Sequence, residues 1–115
     1  MKISEDGQLL RIFIGESDRW HGKPLYEAII LKAREMGIAG ATMMRGLMGF
    51  GAASRIHTAK ILRLSEDLPI VVEIVDSADK IDALVPVIEE MVEEGLITLE
   101  KVRVLQYRHK SSGGQ

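Results

Sequence analysis

The 115-residue sequence has no cysteine. That excludes disulfides, thiolate zinc sites, iron–sulfur clusters and cysteine nucleophiles. Aromatic residues make up only 4% of the chain, with one tryptophan. A stacking platform for single-stranded nucleic acid therefore has little to be built from. There is no basic excess either, since 15 Lys and Arg face 17 Asp and Glu for a formal net charge of −2. Nucleic acid is not an expected partner, because its binders displace counterions with surplus positive charge. No apolar run reaches the roughly 18 residues of a membrane-spanning helix, so direct membrane insertion is not expected. Met1 to Gln8 is polar and lacks the apolar centre of a signal peptide, and a cytoplasmic location is the expectation.

What is present is a hydrophobic fraction of 46%, enough for a real core at this length. Leu9 to Gly15 alternates as a strand, with Leu10, Ile12 and Ile14 on one side. Pro24 to Gly37 reads as a helix whose stripe is Leu25, Ala28, Ile29, Ala33 and Met36, stopped by Gly37. Ala41 to Met48 and Pro69 to Val75 read as two further strands. Asp76 or Ser77 can cap a second helix. Its stripe is Ile81, Leu84, Val85, Ile88, Met91 and Val92, with Pro86 inside it and Gly95 at its end. A last strand is expected over Thr98 to Tyr107. The order is β-α-β-β-α-β, so the predicted class is α+β and ferredoxin-like, a four-stranded antiparallel sheet with both helices on one face. Residues 9–109 form the expected single domain, between a flexible start (1–8) and a flexible tail (110–115).

With both helices on one face, the other face must meet something else. The expected core face carries Ile12, Ile14, Met44, Met48, Val72, Ile74, Val102 and Val104. The opposite face then mixes Phe13, Met43, Leu47, Val71, Val75 and Leu105 with one charge per strand, Arg11, Arg45, Glu73 and Arg103. Glu73 is expected between Arg11 and Arg45, where opposite charges across strands stabilise the register. One reading is a solvated ion-pair ladder. The other is a subunit interface built on Arg11, Phe13, Arg45, Glu73 and Arg103, because apolar area of this kind is rarely left open to water.

Between two predicted strands lies a twenty-residue run, Met48 to Asp67, long for a connection in so small a domain. It opens with Gly49-Phe50-Gly51. Two glycines around an aromatic permit positive φ and close approach to a ligand, and exposed N–H groups there can form an anion-binding nest. A tight bend that needs glycine for geometry alone is the equal alternative. Arg55, His57, Lys60 and Arg63 make the run basic, suited to phosphate, to an acidic partner surface or simply to water. His21-Gly22-Lys23-Pro24 enters the first helix, where free N–H groups and Lys23 favour an anion. Trp20 precedes it. Glu89, Glu90, Glu93, Glu94 and Glu100 form an acidic region read as the wet face of the second helix. No metal site and no catalytic residue set are indicated.

Taken together, several stretches resemble a known family. They are Gly22-Lys23-Pro24-Leu25-Tyr26-Glu27, Arg45-Gly46-Leu47-Met48-Gly49-Phe50-Gly51, Arg55-Ile56-His57, and the run from Leu64 to Asp76. They resemble the PII-like signalling superfamily, and more closely its DUF 190 / UPF 0166 branch. The resemblance implies a homotrimer with sheets facing inward and a long loop that docks on a partner protein, such as a membrane transporter or channel. It also implies adenine nucleotides bound in clefts between subunits, with Gly49, Phe50 and Gly51 at the loop base and Arg55 and His57 in the loop. Gly49, Phe50, Gly51, Arg45, Lys23, Arg55 and His57 are the candidate ligand residues. The stretch Glu94-Gly95-Leu96-Ile97-Thr98-Leu99-Glu100-Lys101 has one glycine and two acids where classical relatives carry a glycine-rich phosphate loop. The expected ligand is therefore AMP, ADP or a cyclic nucleotide, with no essential cofactor. A non-enzymatic regulator contacting a partner through loop 49–68 is the leading function. The alternative is an enzyme that acts on a phosphorylated small molecule with Arg and His.

Overall fold

The computed structural model describes residues 6–49, the backbone of 57–58, and residues 68–110. The elements are β1 (Asp6–Gly15), β2 (Arg19–Trp20), β3 (Lys23–Pro24), α1 (Leu25–Glu35), β4 (Ala41–Arg45), β5 (Met48–Gly49), β6 (His57–Thr58), β7 (Pro69–Ser77), α2 (Ala78–Met91) and β8 (Leu96–Arg103). Four strands form one antiparallel sheet in the order β4-β7-β1-β8. The predicted ferredoxin-like arrangement is present, with two short ladders added to it.

Alternation builds the core. Leu10, Ile12 and Ile14 of β1 and Ile70, Val72 and Ile74 of β7 are buried on one face. Against them pack Leu25, Ala28, Ile29 and Ala33 of α1 and Ile81, Leu84, Ile88 and Met91 of α2. These are the residues that helical spacing selects, and burying each large aliphatic contributes about 1.5–3 kcal/mol. Met36, Val85 and Val92 close the edges of this layer, half-buried.

The ends of the helices follow local chemistry. Pro24 is the residue before α1 and Leu25 its first turn. At the other end Gly37 takes φ +78°, its N–H bonds the Arg34 carbonyl and the Ile38 N–H bonds Ala33. That pair of bonds is a Schellman stop, and glycine accepts the left-handed conformation without strain. Helix α2 runs through Pro86 and ends at Met91, before Gly95. Asp76, only 3% exposed, is the last residue but one of β7, just before α2. Its carboxylate accepts N–H bonds from Ala39 and Ser77, at 2.9 and 2.6 Å, and so ties the α1–β4 turn to the start of α2.

Several boundaries and two registers differ from the sequence reading. Strand β1 starts at Asp6, because Asp6, Gly7 and Gln8 pair with Arg103, Val102 and Lys101 of β8. β8 covers Leu96–Arg103 rather than Thr98 to Tyr107, and β4 stops at Arg45. In β4, Met43 lies opposite Val72 on the core face and Met44 opposite Val71 on the other, the reverse of the expectation. In β8, Ile97 meets Ile12 while Val102 meets Gly7, so Val102 lies on the open face. Met48 is exposed rather than in the core, and Val104 lies beyond β8, near Gly7. Adjacent methionines in β4 give alternation no way to choose, and a one-residue slip turns every side chain over.

Candidate functional site

Charged residues gather in two regions: the sheet face opposite the helices, and the end of the sheet where the long connection begins and ends. On the open face, Leu9, Arg11 and Phe13 of β1 lie beside Val75, Glu73 and Val71 of β7 and beside Glu100, Thr98 and Leu96 of β8. Met44 and Thr42 of β4 complete it. Arg11 is its centre. Its Nε donates to Glu73 Oε2 at 2.8 Å and its Nη1 to Glu100 Oε1 at 2.7 Å. The Glu73 hydrogen bond, reinforced by both carboxylate charges against some desolvation, raises the already high pKa of the guanidinium, which is a fixed cation.

The Arg11–Glu73 pairing is as the sequence reading has it. Glu73 does not lie between two arginines, however: its β4 neighbour is Thr42. Arg45 lies opposite Ile70 and Arg103 opposite Asp6, both on the helix side by alternation. Arg11, Phe13 and Glu73 therefore share the open face, and Arg45 and Arg103 do not. Leu47 and Leu105 are exposed outside the four main strands. The charge that sequence reasoning missed on this face is Glu100. It belongs to β8 and not to the wet side of α2.

The loop base is built by close backbone approach. Gly46 donates its N–H to the Pro69 carbonyl at 2.7 Å. A Cβ on Gly46 would lie 2.9 Å from Pro69 Cγ, tighter than real contacts allow, so glycine is required where β4 runs out against β7. Met48 and Gly49 then pair with Thr58 and His57 in a two-residue ladder. Gly49 sits against Pro69 as well, with room for no more than contact. Phe50, Gly51 and Arg55 lie outside the described residues, as does the side chain of His57.

Arg45 ends β4 and forms an ion pair with Glu16, which follows β1. Nothing in the sequence links these two residues, 29 positions apart. The Glu16 N–H also donates to the carbonyl of Leu68 at 2.8 Å, and Leu68 is the last residue before β7. Glu16 thus touches both legs of the long connection, Arg45 through its side chain and Leu68 through its backbone.

Beside this end stands the β2–β3 hairpin, which pairs Trp20 with Lys23. Its turn residues, His21 at φ +48° and Gly22 at +82°, suit the two left-handed positions of a type I′ turn. The Trp20 and His21 rings stack at 4.1 Å. Trp20 also packs on the core, and Lys23 is exposed. The start of α1 is less open to an anion than its sequence suggests. Leu25 already gives its N–H to the Asp18 carbonyl. The cavity there, about 120 Å³, is lined by Asp18, Arg19, Leu25, Met91, Glu93 and Glu94, and its three carboxylates disfavour a further negative charge. Among the described residues no group of three or more His, Asp or Glu is placed to hold a metal, and no helix is long and apolar enough to cross a membrane.

The chain is similar to proteins across its length. Over 98 residues it is 41% identical to a UPF0166 protein of Aquifex aeolicus (strain VF5), covering 85% of this chain and 92% of that one. A UPF0166 protein of Methanocaldococcus jannaschii is 32% identical over 98 residues, covering 84% and 90%. Among solved structures, CPII bound to ADP and bicarbonate, from Thiomonas intermedia K12, superposes with a TM-score of 0.61 at 16% identity, over 88% of this chain and 90% of that one. That likeness is one of fold, and it is the PII fold. The family model DUF190, described as Uncharacterized ACR, matches residues 7–104, and the chain belongs to that family.

Proposed function

We propose that this protein is a non-enzymatic regulator of the PII type, a homotrimer whose open sheet faces meet one another. The observation that carries the assembly is the composition of that face. Phe13, Met44 and Leu96 are exposed and Val71 and Val75 half-buried around the Arg11 network, with no helix of this chain above them, while Leu9 on the same face is already buried. Apolar area on that scale is rarely left in water. Arg11 satisfies its two carboxylates within the subunit, so the face can be buried without leaving the arginine unpaired.

The ligand reading places a small phosphate-bearing adenine nucleotide, AMP, ADP or a cyclic form, at the loop base between subunits. Gly49 and Arg45 would contribute from the described residues, Lys23 from the neighbouring hairpin, and Phe50, Gly51, Arg55 and His57 from the loop. Support comes from the close-packed glycines at the base, the cation beside them and the ADP and bicarbonate held by the CPII neighbour. Loop 49–68 would then contact a partner protein, with a transporter or channel as the class that the PII resemblance suggests. Binding can reset the loop only if the ligand favours one loop state over another.

A thermal melt of the purified protein with AMP, ADP, ATP and cyclic AMP tests the ligand. At a hundredfold excess over Kd, one occupied site adds about 2.7 kcal/mol. A rise in Tm with AMP, ADP or cyclic AMP and none with ATP is expected. No shift with any of the four would remove the nucleotide reading.

A further inference from the structure

We infer that Glu16 is a built-in competitor for the anion site at Arg45. This rests on the reading of Arg45 as a ligand residue and adds to it a carboxylate that holds the site closed in the free protein. The Glu16 side chain is 18% exposed and that of Arg45 48%, so the acid is the sheltered member and the guanidinium the reachable one. The contact joins one guanidinium nitrogen, Nη2, to one carboxylate oxygen, Oε2. A guanidinium carries five N–H donors in a planar fork that suits two oxygens of a phosphate as well as those of a carboxylate. An incoming phosphoryl group must either take the place of Glu16 or sit beside its negative charge. Both routes weaken binding.

The competitor cannot leave by moving its backbone. The Glu16 N–H is bonded to Leu68, which is 2% exposed, and the following turn is fixed by the Gly15 N–H bonded to Asp18 Oδ2 at 3.0 Å. What can change is the side-chain rotamer. Displacement of the carboxylate therefore breaks the side-chain link between the two legs of the connection while leaving the Glu16–Leu68 and Gly46–Pro69 backbone bonds in place. The bound anion and the Glu16–Arg45 bridge are alternative states of one guanidinium. Ligand charge thus reads directly on the residues that anchor the loop.

The test is calorimetric titration of ADP, and separately of inorganic pyrophosphate, into the full chain and its Glu16→Gln, Arg45→Gln and double variants, each first shown to melt cooperatively. Glu16→Gln removes both a competing partner and a like charge, and should tighten each anion about tenfold. In the Arg45→Gln background the same change should have a much smaller effect, because only the charge repulsion remains when the guanidinium competed for is gone. A wild-type protein that does not bind while Glu16→Gln does bind would also support the inference, as a fully closed site. Equal or weaker binding by Glu16→Gln, with the wild type binding ADP, would overturn the inference and leave the nucleotide reading standing. Absence of binding in every variant would overturn both. Tightening as large without Arg45 as with it would show a general charge effect and overturn the competition.

Discussion

Arg11 offers a perturbation whose size depends on whether the open sheet face is wet or buried. Replacing it with methionine keeps most of the stem and removes the charge that holds Glu73 at 2.8 Å and Glu100 at 2.7 Å. In a single subunit the three side chains are 37%, 32% and 57% exposed. Pairs as open as these are screened by water and add little to the stability of one subunit. Arg11→Met in an isolated subunit should therefore shift the urea midpoint only slightly. In a trimer that covers this face, the same change leaves two carboxylates desolvated without a cation, which costs about 3–5 kcal/mol per broken pair. The substitution should spare the subunit and dissociate the assembly.

Sedimentation velocity across a concentration series separates the two outcomes. The wild type is expected to remain at three times the chain mass on dilution, and Arg11→Met to fall to the single chain. Replacing Arg11, Glu73 and Glu100 together with methionine should restore the trimer, since an apolar set of similar size tolerates burial better than a broken ionic one. An Arg11→Met protein with unchanged mass at every concentration would refute the burial of this face.

Other substitutions test the fold that presents these sites. A Cβ on Gly95 would lie 2.6 Å from the Phe13 carbonyl oxygen, a backbone atom in mid-sheet. Gly95→Ala should lower the unfolding free energy by about 2–3 kcal/mol, whereas Gly40→Ala, with nothing within 4 Å, should change it by under about 1 kcal/mol in urea melts. Asp76→Ala leaves two N–H donors unanswered and should cost roughly 2–4 kcal/mol, with faster amide exchange at Ala39. The Lys32 hydrogen bond and charge hold Glu35 below the usual carboxylate range. A depressed folded pKa contributes stability above the unfolded value and loses it as pH falls through the folded one. The small stability difference between wild type and Glu35→Gln should thus be constant down to about pH 5 and fade below about pH 4.

The fold was legible because both helices carry their stripe at helical spacing and β1 and β7 alternate cleanly. Leu25, Ala28, Ile29 and Ala33 are buried as their spacing requires, as are Ile81, Leu84, Ile88 and Met91. β4 and the end of β8 were not legible. Met43 and Met44 are interchangeable to a pattern of alternation, and Val102 and Val104 imitate a core strand although the pairing with β1 puts Val102 on the open face. The β2–β3 hairpin escaped notice because each of its strands is two residues long, although His21-Gly22 is a fair turn signal. Of the site, Arg11 and Glu73 could be paired from strand order alone. Their third member, Glu100, required the β1–β8 register. Glu16 carried no signal, because its importance arises from meeting Arg45 across the end of the sheet.

Native mass spectrometry of the full chain with ADP reads the proposed assembly and its ligand at once. A trimer that accepts up to three ADP molecules, one per cleft, is the predicted spectrum. A single chain that carries no adduct at any ADP concentration would contradict it.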